Sequence, residues 1–539
     1  MIPLSAVIIT KNEQDRLREC LESVKWADEI IVVDDYSTDK TIEIAKEYTD
    51  KVFQRKMEIE GAHRNYAYSL ATQDWVLSID ADERVTEELK NEIIKIVTEG
   101  SKCNGFAIPR RNYIGDYWIK YGGWYPSRQL RLFKKGVFKY EEVEVHPRAF
   151  MQDPRADLKS DLLHYSYRDI SDFVKKMDKQ TTLEARKWIK DKRKMPVLKA
   201  LHRMVDRFLR AYNKKKGHKD GVLGYILAVF GGFYQILSYA KYWEKMGTAA
   251  ILPPAKQAGK TCGCTHFPDN NKNGGCPDFP HLKKLSVVIP TKNCEDDIGK
   301  CLESVKWADE IVIVDGYSED NTPEICSKYT NKIILHKHQG DYYGVGEEER
   351  NIGTDNASGD WILQLDSDEI VTDRLKKDIE KILSNQKEPY AAYKFRRKNF
   401  FLGHFMRWGG WFHYSLHFFR RGKARYEGNI HEALIVNGKI GKINGAVEHY
   451  PFKSIEQFIQ RHNSYSTREA QMLLKKRGAL DEKEIVYNIK VKPKKLFWKF
   501  YIKKKGFLEG KYGLIFSILF AWVHFLNWSK YWELVRKQK

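Results

Sequence analysis

The sequence lacks both glycine-rich phosphate loops that commonly mark nucleotide enzymes. There is no G-x-x-x-x-G-K-[ST] stretch, which argues against a P-loop NTPase, and no G-x-G-x-x-G, which argues against a dinucleotide enzyme. It shows no basic leader: Met1-Ile2-Pro3-Leu4 runs directly into a strand-like segment at 5–9, so a cytosolic chain is expected. Cysteine is sparse. The eight thiols are scattered apart from a cluster near residue 262, which excludes a secreted disulfide framework and favours a reducing compartment. Cys20 and Cys301 fall on apolar helix faces and are expected to be inert core thiols. Acidic side chains fall short of basic ones by 21, so the partner should be anionic: nucleotide phosphates, an acidic lipid surface, or nucleic acid. No basic–aromatic motif of a recognised type is present, which argues against nucleic acid.

What is present is one unit written twice. The stretch CLESVKWADEI occupies 20–30 and returns unchanged at 301–311. Around it, Thr10-Lys11-Asn12 matches Thr291-Lys292-Asn293, and Asp34 matches Asp315. Arg64-Asn65 matches Arg350-Asn351, Trp124 matches Trp411, and His164 matches His449. The second copy carries an insertion at 339–346. A repeat this long is duplication of a whole domain, not a solenoid of short repeats.

The strongest element is WVLSIDADE at 75–83, repeated as WILQLDSDE at 361–369. Each reads as a short buried strand ending in paired carboxylates, Asp80 and Asp82 in one copy, Asp366 and Asp368 in the other. Two aspartates one residue apart at a strand's carboxyl end suit a hard divalent cation, Mg2+ or Mn2+, bridging to substrate phosphates. Upstream, a strand at 6–9 precedes a helix with Leu17, Cys20, Leu21 and Val24 on one face. A strand at 30–33 follows, then a helix through Ile42, Ala45 and Tyr48. Such alternation predicts an α/β fold of mostly parallel sheet with helices on both faces, and ligands beyond the strands' carboxyl ends. Asn12, Asp34, Asp35, Asp80 and Asp82 should converge on one crevice.

The expected organisation is two tandem domains, 1–165 and 283–450, each with a helical extension, 166–250 and 451–539, joined by a linker at 251–282. The extensions are basic, with Lys187, Lys190 and 214–216 in one and 494–495 and 503–505 in the other. Their apolar runs, near 222–240 and 514–523, are at the lower edge of the about 20 residues a membrane span needs. Helices lying in or dipping into an anionic membrane interface are the favoured reading. A buried core helix or dimer face, and a true span, are the alternatives. In the linker, Cys262, Cys264, His266 and Cys276 could hold a structural Zn2+, although the spacing is not a standard one and an ordinary flexible linker is the simpler expectation.

In chemical terms, Asp34 and Asp35 can accept hydrogen bonds from a base or ribose. Thr10, Lys11 and Asn12 can cap the first helix and hold a nucleotide edge. Arg64 can meet phosphate charge. Asp80 and Asp82, through a metal, can neutralise a departing diphosphate. His164 and His449 are candidate further metal ligands or structural histidines, and Trp124 and Trp411 sugar-stacking platforms or core aromatics.

Taken together, the T-K-N-E opening, V-D-D-Y-S-T-D, R-N, W-V-L-S-I-D-A-D-E and H-Y-S-Y resemble family 2 glycosyltransferases of the GT-A fold, with the lipopolysaccharide-core branch the nearest in character. The resemblance covers both copies with their extensions. It implies inverting, metal-dependent transfer of a sugar from a nucleotide-diphosphate sugar to a hydroxyl of a cell-envelope glycolipid or polysaccharide, at the cytoplasmic face of the inner membrane. It implies that Thr10, Asn12, Glu13, Asp34, Asp35, Arg64, Asp80 and Arg131 bind the nucleotide sugar in the first copy. Thr291, Asn293, Asp315, Arg350 and Asp366 do so in the second. Asp80, Asp82, Asp366 and Asp368 would hold the metal, and Glu83 and Glu369 shape the same site.

The family places its general base in a short His-Glu motif, which here is His431-Glu432. The first copy reads Glu144-Val145-His146-Pro147 and lacks that carboxylate; Glu142 or Glu144 could substitute. Conversely His417 stands where the first copy has Arg131. Two active transferases of different specificity are therefore expected. The alternatives are a first half that only binds acceptor, and a non-enzymatic carbohydrate-binding scaffold.

Overall fold

The computed structural model describes residues 2–143, 148–248, 283–337, 347–426 and 434–538. The chain divides into two compact units. One comprises Met1–Ile251 with Ile459–Lys490 and His524–Lys539; the other comprises Leu252–Phe458 with Val491–Val523.

The first unit is built on a seven-stranded sheet in the order Arg155–Asp157, Gly105–Ile108, Gln129–Lys134, Trp75–Asp80, Leu4–Thr10, Glu29–Asp34, Val52–Gln54. The last four run parallel, and Gln129–Lys134 is inserted antiparallel to both its neighbours. The sheet is therefore mixed: a parallel nucleotide-binding-type half joined through one reversed strand to the rest. Continuous apolar runs in the parallel strands explain the pattern, since both faces are covered. Leu4, Ala6, Ile8, Val32, Leu77 and Ile79 face Leu17, Cys20, Leu21 and Val24 of the first helix. Val7, Ile31, Val33 and Val76 face Ala67 and Tyr68 on the other side. Each leucine, isoleucine or valine among them contributes about 1.5–3 kcal/mol on full burial. Cys20 and Cys301 are buried free thiols, and burial pushes both well up, as inert core cysteines require.

The second unit repeats the plan. Ile333–Leu335, Glu310–Asp315, Leu285–Thr291 and Trp361–Gln364 run parallel, and His413–Arg420 is the reversed strand. Here Ala392–Phe401, Ile440–Phe452 and Glu369–Val371 continue the same sheet, whereas in the first unit Arg110–Ile114, Leu162–Tyr167 and Glu83–Val85, with Tyr117–Trp118, form a separate four-stranded sheet.

After Leu162–Tyr167 the first unit continues as three helices, Ile170–Lys190, Val197–Leu209 and Gly221–Thr248. Phe173 stacks on Phe230 at 4.8 Å, and Lys241 is buried with its ammonium on the Asp178 carbonyl (2.6 Å) and the Thr182 hydroxyl (2.7 Å). The apolar stretch of Gly221–Thr248 is long enough to cross a membrane, but 72% of it is buried inside the protein; for the corresponding stretch ending at Lys537 the share is 44%. Most of the first run is thus covered by neighbouring helices. Before each long helix the chain makes the same turn, with Lys216 and Lys505 left-handed (φ 56° and 58°). Gly224 and Gly513 follow, where a Cβ would lie 1.8 Å from the carbonyl oxygens of Gly217 and Gly506. The Cys262–Cys276 cluster considered for zinc lies outside the described residues.

Candidate active sites

Parallel strands deliver their carboxyl ends to one edge, and the acidic residues gather there. Asp34 ends its strand fully buried and accepts the backbone N–H (2.8 Å) and hydroxyl of Ser37, folding the loop back. Asn12 takes a left-handed backbone (φ 52°). Its N–H donates to Ser37 Oγ (2.7 Å) and its Oδ1 accepts from the Thr38 N–H (2.8 Å). Lys11 Nζ and the Met57 N–H both donate to Asp35, at 2.7 and 2.9 Å. Burial would raise the Asp35 carboxyl, but the Lys11 bond holds it below its usual range. The Thr10 hydroxyl is buried with no hydrogen-bond partner. In the second unit Asp315 accepts from Thr291 Oγ1 (2.9 Å) and the Ser318 N–H (2.8 Å). Asn293 repeats the left-handed turn at φ 46°. Gly316 replaces Asp35, and Lys292 donates instead to the Gly316 carbonyl at 3.0 Å.

The paired aspartates have unequal surroundings. Asp80 accepts from Arg64 Nη1 at 2.9 Å and from Arg131. Its own N–H donates to Glu83 Oε2 at 3.0 Å, and Glu83 Oε1 accepts from Arg131 (2.8 Å) and Arg110 (3.3 Å). Burial would raise the Asp80 carboxyl, but Arg131 and Arg64 hold it well below the usual carboxylate range. Asp366 is held the same way by Arg350 and Arg397, and its N–H donates to Glu369 Oε2 at 2.9 Å.

Asp82 and Asp368 instead face imidazoles. His164 Nε2 lies 3.6 Å from Asp82 Oδ1, and His449 Nε2 lies 3.4 Å from Asp368 Oδ1. The other ring nitrogen meets an asparagine carbonyl: His164 Nδ1 to Asn112 Oδ1 at 2.7 Å, His449 Nδ1 to Asn399 Oδ1 at 2.6 Å. The two asparagines are oriented by donating their amides to the carbonyls of Trp124 (2.6 Å) and Trp411. With Oδ1 thus turned to the ring, Nδ1 carries the proton and Nε2 presents a lone pair toward a carboxylate. Two acceptors facing each other are repulsive unless a proton or a cation lies between them. Ligand atoms of Asp366, Asp368 and His449 all fall within 4.8 Å of one another. Two carboxylates and an imidazole, the latter oriented by a neighbouring amide, are a donor set that fits a divalent cation such as Mn2+ or Mg2+.

The two sites differ in how the first aspartate is clamped. Arg131 is buried beneath Asp80 and Glu83; His417, at the matching position, does not replace it. Burial, then the charge of Arg350, pushes His417 down to about 3, so the ring is neutral, and it meets Tyr426 Oη at 3.2 Å. The second guanidinium comes from Arg397, which pairs with Asp366 and reaches Glu369 Oε1 at 2.6 Å. Glu13 is half-buried near Asp82, with its Oε2 3.8 Å from Arg168 Nη2; burial and then Asp82 push its carboxyl up. Its counterpart is the thiol of Cys294, raised by burial.

The structure therefore brings together Thr10, Asn12, Glu13, Asp34, Asp35, Arg64, Asp80, Asp82, Arg131 and His164 in one unit. In the other it gathers Thr291, Asn293, Asp315, Arg350, Asp366, Asp368 and His449. The Trp124 ring packs on Tyr167 (6.2 Å) and Phe173 (6.4 Å), and Trp411 on Phe516 (4.9 Å) and Phe520 (5.5 Å). Glu432 and Glu144 lie outside the described residues, and Glu142 is half-exposed, accepting from Asn65 at 3.2 Å. Sequence reasoning missed Arg110 and Arg397, and Asn112 and Asn399. The signal was available: Arg-x-Asn recurs at 110–112 and 397–399 in the two copies.

Comparison with known proteins gives the same division. The family model described as Glycosyl transferase family 2 matches residues 5–153 and again 286–437. A lipopolysaccharide core biosynthesis glycosyltransferase, LpsC of Rhizobium meliloti, is 27% identical over 251 residues, covering 45% of this chain and 93% of that protein. An uncharacterized glycosyltransferase of Rickettsia prowazekii is 30% identical over 271 residues, covering 48% and 90%. Among solved structures, residues 1–349 of TarS from Staphylococcus aureus align with 48% of this chain and 92% of that one, at 17% identity and a TM-score of 0.25.

Proposed function

The chain belongs to glycosyl transferase family 2 in both its halves, and from that premise we propose that each half is an inverting transferase with its own donor site. The donor is a nucleotide-diphosphate sugar, and the acceptor a hydroxyl of a cell-envelope glycolipid or polysaccharide, as the printed activity of the Rhizobium relative suggests. The observation that carries this reading is the carboxylate–imidazole pair at the strand ends of both units, Asp82 with His164 and Asp368 with His449, which in the second unit closes with Asp366 into one three-ligand cluster. Those residues would hold a divalent cation, which when bound supplies positive charge for a departing diphosphate. Asp34 and Asp315, anchored by Ser37 and Ser318, are positioned as hydrogen-bond acceptors for the nucleoside. Thr10, with a buried unbonded hydroxyl, offers a further polar contact. Glu432 is assigned the proton acceptor of the second half.

The different specificity of the halves is supported by the pairs Asp35/Gly316, Glu13/Cys294 and Arg131/His417, each at the rim or floor of its site. Association with the cytoplasmic face of an anionic membrane is supported by exposed apolar side chains set among lysines and arginines: Leu198, Val205 and Leu209 in one unit, Trp498, Phe507 and Leu508 in the other.

The test is release of nucleoside diphosphate from a panel of nucleotide sugars by the full chain carrying Asp80→Ala or Asp366→Ala. Each change is expected to remove one donor activity by about a hundredfold or more and spare the other, since loss even of a ligand's supporting partner costs roughly 10–100-fold. If Asp366→Ala alone abolishes all turnover, the first half is an acceptor-binding module and the two-enzyme reading is wrong.

A further inference from the structure

The first unit contains a cavity that the catalytic reading does not use: a space of about 620 Å³ between Trp124 and the three helices of its extension. Its floor is aromatic, with Trp124, Tyr167, Phe173 and Phe230 in contact along one wall. Its lining also holds six lysines and arginines against two carboxylates, Glu184 and Asp191. Arg203 is central to that charge. Its Nη1 is buried without a hydrogen-bond partner. Burial and the neighbouring charges of Arg193 and Arg207 push its guanidinium below its usual range, with Glu184 opposing. Like charges crowded about a buried, unsatisfied donor are costly unless an anion joins them.

The second copy shows what opens this space. The long helices align through Lys241-Tyr-Trp-Glu244 and Lys530-Tyr-Trp-Glu533, which sets Gly231 against Phe520; the basic turns before them set Ala211 against Phe500. In the second unit those rings occupy the corresponding room. Phe520 lies 5.5 Å from Trp411, 5.4 Å from Phe458 and 6.3 Å from Phe500. At Gly231 a Cβ would meet nothing within 4 Å. The same alignment sets Arg207 against Leu496, so the first copy has both the room and the charge.

We propose that this cavity binds a phosphate-bearing amphiphile, with the alkyl chain on the aromatic floor and the phosphate on Arg203 and its neighbouring guanidiniums. Resting on the reading that the first half glycosylates an envelope lipid, the occupant is the phosphorylated lipid portion of the acceptor. The cavity is joined to the candidate metal site by three links. Trp124 in its wall receives the Asn112 amide, Asn112 orients His164, and His164 faces Asp82. An occupied cavity would therefore hold the acceptor on the wall that supports the donor site.

The experiment is calorimetric titration of the full chain with dodecyl phosphate below its micelle concentration. The wild type should bind one equivalent, and Gly231→Phe and Arg203→Gln should each weaken binding by about tenfold or more. Inorganic phosphate and the uncharged dodecyl maltoside should each bind about tenfold more weakly than dodecyl phosphate, because each satisfies only one part of the cavity. Competition by phosphatidylcholine vesicles containing phosphatidic acid would identify bilayer lipid as a source of the occupant; competition by inorganic phosphate at equal strength would mark a free-phosphate site and overturn the proposal. Unchanged affinity in Gly231→Phe, with its melting temperature kept, would also overturn it. Metal-dependent donor hydrolysis is followed on the same samples. If the wild type hydrolyses donor but does not bind dodecyl phosphate, this inference alone fails. If hydrolysis is missing, the donor-site reading fails instead.

Discussion

At the residue scale, the informative group is Asn399 rather than the aspartates it serves. Its amide is fixed by the Trp411 carbonyl, so its oxygen is turned to His449 Nδ1 and the Nε2 lone pair is turned to Asp368. Asn399→Leu removes that orientation without touching a proposed ligand. Mn2+ affinity, followed by electron paramagnetic resonance titration, is expected to fall roughly 10–100-fold. An unchanged affinity would show that the ring is held by its packing and that the asparagine is structural. The paired aspartates themselves were legible in the sequence because the motif, its strand and its flanks all recur. Arg397 was not. Comparing the copies position by position shows Arg131 replaced by His417 and reads as a lost cation. The replacement guanidinium arrives from another strand, and only the folded arrangement reveals which arginine reaches Asp366. Glu432 remains the clearest expectation for a base by motif alone.

At the scale of elements, the repeated stretch 20–30 and 301–311 is held by the same clamp in both units. Glu29, nearly fully buried, accepts from Lys51 and from the Thr72 N–H (2.8 Å) and hydroxyl (2.9 Å), and Ser5 donates to it as well. Glu310 does the same with Lys332 (2.7 Å), Ser286 and the Ser358 N–H (2.7 Å). Burial would raise each carboxyl, but the lysine bond and the hydroxyl and amide donors bring both down to about 2. A folded value below the unfolded one of about 4.5 means that the unfolded chain binds more protons between them. The clamp's stability is therefore fully present above about pH 4.5 and is lost as pH falls through about 2. A shift of that size corresponds to an upper bound of about 3 kcal/mol per clamp. Glu29→Gln should lower the midpoint of thermal unfolding at pH 7 and shrink its acid sensitivity between pH 4.5 and 2. A variant whose unfolding midpoint keeps the wild-type slope across that window would rule the clamp out as a source of acid lability. The strands and helices that carry these residues follow directly from apolar periodicity. The reversed strand Gln129–Lys134 does not, because alternation of strand and helix has already ended there, and its partner is chosen by tertiary pairing. The long apolar helix was legible as apolar on most sides, which fits either a core or a membrane. Packing against Ile170–Lys190 and Val197–Leu209 accompanies burial of 72% of its apolar stretch, a covering that no periodicity argument could have supplied.

At the scale of the whole molecule, the surplus of 21 positive charges must be met by something. The nucleotide sites account for little of it, since Arg64, Arg131, Arg350 and Arg397 are already paired with carboxylates. The excess lies on the extensions, and there it accompanies exposed apolar side chains. On Val197–Leu209, Leu198, Val205 and Leu209 point outward, 76%, 50% and 46% exposed, beside Lys199, His202 and Arg210. On the membrane reading proposed above, this helix lies on an anionic bilayer, each basic residue near the surface contributing about 1 kcal/mol. Pelleting of the full chain with phosphatidylcholine vesicles containing anionic lipid should therefore be strong at about 0.1 M salt and largely lost near about 1 M, where screening shortens to roughly 3 Å. Leu198→Asp with Val205→Asp should weaken it at low salt while leaving donor hydrolysis unchanged, because both side chains are exposed on the extension helix and are not among the residues of the candidate donor site. Equal pelleting with neutral vesicles at all salt concentrations would remove the electrostatic component. A gel shift of duplex DNA at physiological salt, stronger than the vesicle binding, would assign the charge to nucleic acid and leave the exposed leucines without a role.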